Sequence, residues 1–253
     1  FRRNLLGDNR GEMKVARAEI KKALHSPRFY GGILISWALA GLVVAQVWHD
    51  PLSFYLRKIT LPFSLLYPLA LFGPVGGIWG GTENIAEERM EGTLSTALLR
   101  PLSRWEWYWG KVEFTLFYNL LMVFTPLLGM ALLEKIMWGG GFSFRLLGGG
   151  LVVTLYISSF SALSYLFSSL FYRPWGGPLL SLGVGAFSYI IEHLGEGERI
   201  QIYLLTHHLS SFNVFFLPQI DWHQAFISFL VLGSYTGGGF LLGALIFLKQ
   251  EEK

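Results

Sequence analysis

The side chains able to do chemistry are few in this 253-residue chain, and one group of them stands between two apolar runs. Glu83, Glu87, Glu88, Arg89, Glu91, Arg100, Arg104, Glu106 and Lys111 put nine charges into the run Glu83–Lys111, together with Pro101 and three tryptophans. Neighbouring carboxylates such as Glu87-Glu88 can do general acid–base work. A membrane hydrolase built on them would need histidines in the later apolar runs, and those runs have none. His207-His208 are adjacent, and adjacent helical residues point about 100° apart, which rarely suits one metal. The chain has no cysteine, which excludes disulfides, thiol catalysis and thiolate metal sites. It has no G-x-x-x-x-G-K-[ST], no H-E-x-x-H and no G-x-S-x-G, so phosphate cradling, zinc hydrolysis and a nucleophile elbow have no motif to rest on. Inside the apolar runs the polar residues are mostly lone Ser, Thr and Tyr, plus Asn119.

The elements around these residues are built for lipid. The chain is 52% hydrophobic and only 15% charged, where soluble domains carry about 25% charged residues. Six runs lack Asp, Glu, Lys, Arg and His: Phe29–Trp48, Leu61–Thr82, Phe114–Leu133, Leu146–Tyr172, Trp175–Ile191 and Ala225–Leu248. Each approaches or exceeds the ~20 residues that cross a bilayer as a helix. An all-α polytopic membrane protein follows, a single transmembrane domain over residues 1–253. The Lys and Arg residues divide fifteen to five between the two sides of a six-span topology. That bias puts both termini and the charged run in the cytoplasm of a multi-pass protein of the cell (inner) membrane. It also accounts for the pI near 9.1 without a nucleic-acid partner.

Within the second span Gly73, Gly76, Gly77, Gly80 and Gly81 suit close helix packing or a sliding pathway, and Pro62, Pro68 and Pro74 can bend it. Proton- and ion-coupled carriers place ionisable groups inside their spans. Here Glu113, Glu134 and Glu192 stand only at span ends, so no proton relay is expected. Residues 12–27 space Met13, Ala16, Ile20, Ala23 and Leu24 opposite Lys14, Arg17, Lys21 and Arg28, as in a basic amphipathic helix on the membrane surface. His25-Ser26-Pro27 marks a turn into the first span, and no cleavable signal peptide is expected. Residues 193–223 read as an extracellular segment of one or two short helices dipping into or lying on the outer leaflet, ended near Pro218.

The charged run, residues 83–111, has its own punctuation. Gly92-Thr93 offers a helix start with Thr93 as N-cap. Leu94 to Arg100 has room for two turns before Pro101 stops them. Ser103 and Glu106 fit a capping box that opens a new helix into the third span, with Trp105, Trp107 and Trp109 at headgroup level. The pattern Glu83, Glu87-Glu88, Glu91-Gly92-Thr93-Leu94, Leu98-Leu99, Pro101-Leu102-Ser103-Arg104, Glu106 and Lys111 resembles the first cytoplasmic loop of type-2 ABC transporter permeases. The interfacial helix, the span count and the long outer segment extend the resemblance over nearly the whole chain. The glycine density of the second span departs from many relatives.

The resemblance implies a permease subunit of an ATP-driven exporter, dimerised with a second copy or a related permease and docked to a cytosolic ABC ATPase. Glu83, Glu87, Glu88, Glu91, Gly92, Thr93, Leu94, Leu98, Arg100, Pro101, Arg104 and Lys111 would then form the coupling surface, with a coupling helix around Thr93–Arg100. This chain would hold no cofactor and hydrolyse nothing, since ATP and Mg belong to the partner ATPase. An intramembrane enzyme, or a scaffold that transmits force through an ABC-like body, are the other readings.

Overall fold

A computed structural model describes residues 20, 21, 24–50, 61–81, 85–90, 92, 103–139, 143–171, 173–194, 203–217 and 219–250, without the side chains at 80, 81, 87, 193 and 250. Among the described residues every regular element is helical. Five helices are long and apolar enough to cross a membrane: α1 (Pro27–His49), α2 (Leu61–Gly81), α4 (Arg104–Trp138), α5 (Phe144–Leu170) and α7 (Trp222–Gln250). α3 (Ile85–Met90) is a short helix in the charged run. α6 (Gly176–Leu194) stands where the shortest of the expected spans was placed, and 19 residues make a helix about 28 Å long. An 11-residue 3-10 helix, Thr206–Phe216, precedes α7.

Local chemistry explains the helix ends. Ser26 caps α1 by accepting from the Arg28 N–H at 3.3 Å, and Pro27 takes the first turn, where its missing N–H is no loss. Ser103 and Glu106 form the expected reciprocal capping box: Ser103 Oγ accepts from the Glu106 N–H at 3.2 Å, and Glu106 Oε2 accepts from the Ser103 N–H at 2.7 Å. From there α4 runs 35 residues without a break, ending at Gly139 in the left-handed conformation.

α5 is the central helix, packed on α2, α3, α4, α6, α7 and the 3-10 helix. Its best apolar window is 83% buried, against 56% or less for the other long helices. α1 lies outside, against α2 and α4. Side-chain neighbours fix the directions. Leu66 and Gly77 of α2 meet Gly149 and Ser161 of α5, so these two run parallel. Gly239 and Gly243 of α7 meet Ala162 and Leu166, so α7 is parallel too. α4 is antiparallel, with Thr115 beside Tyr165 and Phe124 beside Gly150. α6 is also antiparallel: Gly177 meets Ser168, Gly185 meets Phe160, and Glu192 reaches His207 of the 3-10 helix.

Small residues make the α5 contacts close. A Cβ on Gly239 would meet backbone atoms of Ala162 at 3.1 Å, where nothing can give way. Gly148 and Gly149 likewise leave room for Phe215 and Phe216 of the 3-10 helix. That helix therefore packs into the end of the bundle, against α2, α5, α6 and α7, with Phe212, Val214 and Phe215 buried. The segment expected on or in the outer leaflet thus packs helix to helix, its aromatic face against the glycines of α5. The surface helix expected over residues 12–27 lies mostly outside the described residues.

Candidate functional site

The charged run is the natural candidate, and the structure turns part of it inward. α3 lays Ile85 against a cluster of Trp107, Tyr108, Val112, Tyr165, Phe240 and Phe247, and Ala86 beside it is buried too. The next turn brings Glu88 to Lys111 of α4: Nζ donates to Oε1 at 2.6 Å, and the two side chains are 0% and 5% exposed. The ammonium also lies 4.9 Å from the centre of the Trp107 ring, close enough for a cation–π attraction. Glu88 and Lys111 thus face each other inside the protein. Burial of a charge is tolerated only when it is paired, and here each carries the other's counter-charge.

Arg89 adds a second tie. Its Nη1 donates to the Ser169 carbonyl oxygen of α5 at 3.4 Å, and its guanidinium lies 5.7 Å from the Phe247 ring centre of α7. Trp107 stacks on Phe247 at 5.3 Å, and the Tyr108 hydroxyl donates to the Phe240 carbonyl oxygen at 3.0 Å. The ion pair therefore ties α3 to α4, while the Arg89 cation, the stacked rings and the Tyr108 hydroxyl fasten the two to α5 and α7. Trp105 and Trp109 share a face, while Trp107 points the opposite way and is buried in the protein. Alternate helix residues differ by about 200°, which separates 107 from the other two.

Gly92 follows α3 with φ +69°, and its N–H donates to the Arg89 carbonyl oxygen at 3.3 Å. It closes the helix before it, a role glycine fills without steric cost. Thr93, the N-cap of the helix start expected at Gly92-Thr93, lies outside the described residues. Arg104 opens α4 and is half-buried. Glu83, Glu91, Thr93, Leu94, Leu98, Arg100 and Pro101, with the side chain of Glu87, lie outside the described residues.

Of the packing glycines, Gly73 and Gly77 lie against Ile157 of α5, and Gly76 against Met122 of α4. The surroundings of Gly80 and Gly81 lie outside the described residues. Beside Gly77 the structure gathers the polar residues that look solitary in the sequence. Thr154, Ser158, Ser161, Tyr165 and Ser168 repeat at four- and three-residue steps, which is one stripe of α5. Asn119 Nδ2 donates to the Ser158 and Ser161 hydroxyls, each at 3.1 Å, and Thr115 shares a 2.9 Å hydrogen bond with Tyr165. Several hydroxyls also donate to the carbonyl four residues back, Thr154 to Gly150 at 2.8 Å and Ser168 to Ser164 at 2.6 Å. That is how hydroxyls stay satisfied in an apolar bundle. The repeat was the signal for this cluster.

His207 and His208 go to different partners, as adjacent side chains should. His207 Nδ1 is 3.5 Å from Glu192 Oε1, while His208 Nδ1 is within 3.2 Å of Ser211 Oγ and 3.1 Å of Ser228 Oγ. They join the 3-10 helix to α6 and α7.

No protein-family model and no curated protein matches the chain. The helices and their apolar content make it a multi-pass membrane protein in character.

Proposed function

We propose that the chain is the permease subunit of an ATP-driven transporter of the type-2 ABC kind, an exporter, working as a permease dimer with separate cytosolic ATPase subunits. The observation that carries the reading is the fastening of α3 to α4, α5 and α7 through Glu88, Lys111, Arg89 and Trp107. A force applied to the loop beyond Gly92 reaches three long helices through buried contacts rather than through a slack connector. Glu88 and Lys111 in this reading transmit motion from inside and leave docking to the remaining loop residues, among them Leu94 and Arg100.

Six crossings belong to the same proposal. α6 runs back along α5 from Ser168 to the level of the 3-10 helix, which packs at the α5 start. A helix that accompanies a spanning neighbour end to end crosses with it. Both termini then share the side of the charged run, the cytoplasmic side by the basic bias.

The test is affinity purification of the chain from its own membrane, identification of any co-purifying ATPase, and reconstitution in vesicles. The expected result is a bound ABC ATPase whose hydrolysis drives transport. Leu94→Asp should then reduce transport per ATP while leaving the thermal unfolding midpoint unchanged. A chain that co-purifies with no ATPase, or a Leu94→Asp variant with unaltered coupling, rejects the reading.

A further inference from the structure

We infer that the end of the bundle opposite the charged run holds the acyl chain of a phospholipid, in an apolar cavity between α1, α2 and α4. The cavity has a volume of about 320 Å³, within the roughly 300–1,000 Å³ of pockets that take small organic ligands. Val44 and Val47 of α1, Leu61 of α2, and Leu133 and Met137 of α4 form its walls. Trp48 and Trp138 complete it where α1 and α4 end. α1 and α4 run side by side in the same direction, with Phe29 on Tyr118 and Trp37 against Gly129. Beyond the Trp37–Gly129 contact the two helices leave the cavity between them, and the first residue of α2 closes a third side.

The lining, the depth and the nearby charge select the occupant. The walls carry no charge and no hydroxyl, so water finds no partners there and an apolar guest is accepted. Trp48, Leu133, Met137 and Trp138 are exposed, so the cavity opens at the side of helices built to cross a membrane, onto lipid. Tryptophans favour the headgroup level. With Trp48 and Trp138 there, the aliphatic walls lie at the depth of one leaflet's chains. Lys135 is exposed one turn before Trp138, on the neighbouring side of α4, and its long stem lets the ammonium meet the phosphate of the same lipid. Glu134, the adjoining carboxylate, is engaged by the backbone N–H of Leu61. A chain in the cavity and a phosphate at Lys135 are the two ends of one phospholipid. The inference rests on the membrane character of the chain and holds whether or not the chain transports anything.

Photo-methionine tests it, because Met137 lines the cavity and its diazirine analogue captures whatever lies against it. The full chain carrying photo-methionine is assembled in nanodiscs of palmitoyl-oleoyl phosphatidylglycerol, moved into dodecyl maltoside, washed, irradiated and mapped by mass spectrometry. Residue 137 should still carry a phospholipid adduct. Leu42→Met, on the exposed face of α1, should carry detergent instead, since bulk lipid is washed away. Val44→Trp should lower the adduct at residue 137 several-fold by filling the cavity. Leu133→Phe should do the same, and serves if Val44→Trp fails to fold. Detergent alone at residue 137 overturns the inference, as does a phospholipid adduct of equal yield at residue 42. A link from residue 137 to another part of this chain or to a second copy overturns it in favour of a protein occupant, and an adduct retained in both filled variants overturns the cavity as its site.

Discussion

Lys111 shows how a single residue's meaning depends on where its helix points it. By type it is a cation among charges, ready for a surface partner. In the fold it is 0% exposed and paired to Glu88 at 2.6 Å. Removing one member of such a pair takes the nearest counter-charge from the other, so Lys111→Met should lower stability by up to about 3–5 kcal/mol. The double variant Glu88→Leu, Lys111→Met removes both buried charges and should recover most of that loss. Thermal or denaturant unfolding in detergent checks both, and a double variant no better than the single would sink the buried-pair account. The charge of Lys111 was readable in the sequence, and its burial was not. The partner lies 23 residues away, and only the packing of α3 against α4 decides that the two meet. Asn119 is the converse case. It reads as solitary along its own helix, and its partners become visible only when the Thr154–Ser168 repeat is read as one face.

At the level of elements, the ends of helices were more legible than their surroundings. The Ser103–Glu106 capping box and the Ser26-Pro27 entry form within a few residues of chain, so local sequence suffices to see them. Gly92, with its φ of +69°, is the stop of α3, and the helix start expected at Thr93 lies outside the described residues. Gly92→Ala should cost about 1–2 kcal/mol, the penalty of a side chain in the left-handed region. Gly92→Pro should be far worse, because the ring holds φ near −65°. Unfolding midpoints of the two variants rank them, and equal stability of both would refute the turn. The glycines of α7 separate by the same logic. Gly239 abuts the Ala162 backbone, while Gly233 and Gly237 have open space. Overpacking a tight contact costs about 1–3 kcal/mol, so Gly239→Val should destabilise by that order and Gly233→Val by little. Comparable losses at both positions would mean that the open face of α7 is covered in the working protein.

For the molecule as a whole, the absence of cysteine makes the number of crossings directly measurable. A single introduced cysteine carries no background from the native chain. Met90, Ile136 and Tyr203 are 66%, 81% and 68% exposed, so each should accept a membrane-impermeant maleimide wherever it meets water. Their expected sides follow from the helix directions. α4 carries the chain away from the charged run, α5 brings it back, and α6 returns it to the end where the 3-10 helix packs on Gly148 and Gly149. Ile136→Cys and Tyr203→Cys should therefore label together in intact cells. Met90→Cys should label only in inside-out vesicles, because the basic residues crowd its side. If Tyr203→Cys labels with Met90→Cys, α6 does not cross, α7 runs the other way through the bilayer, and the side-by-side packing of α6 on α5 has to be wrong. If all three reverse together, the six crossings stand and only the assignment of the cytoplasmic face falls. The two parts of the topology thus fail separately, one on the packing of α6 and the other on the distribution of charge.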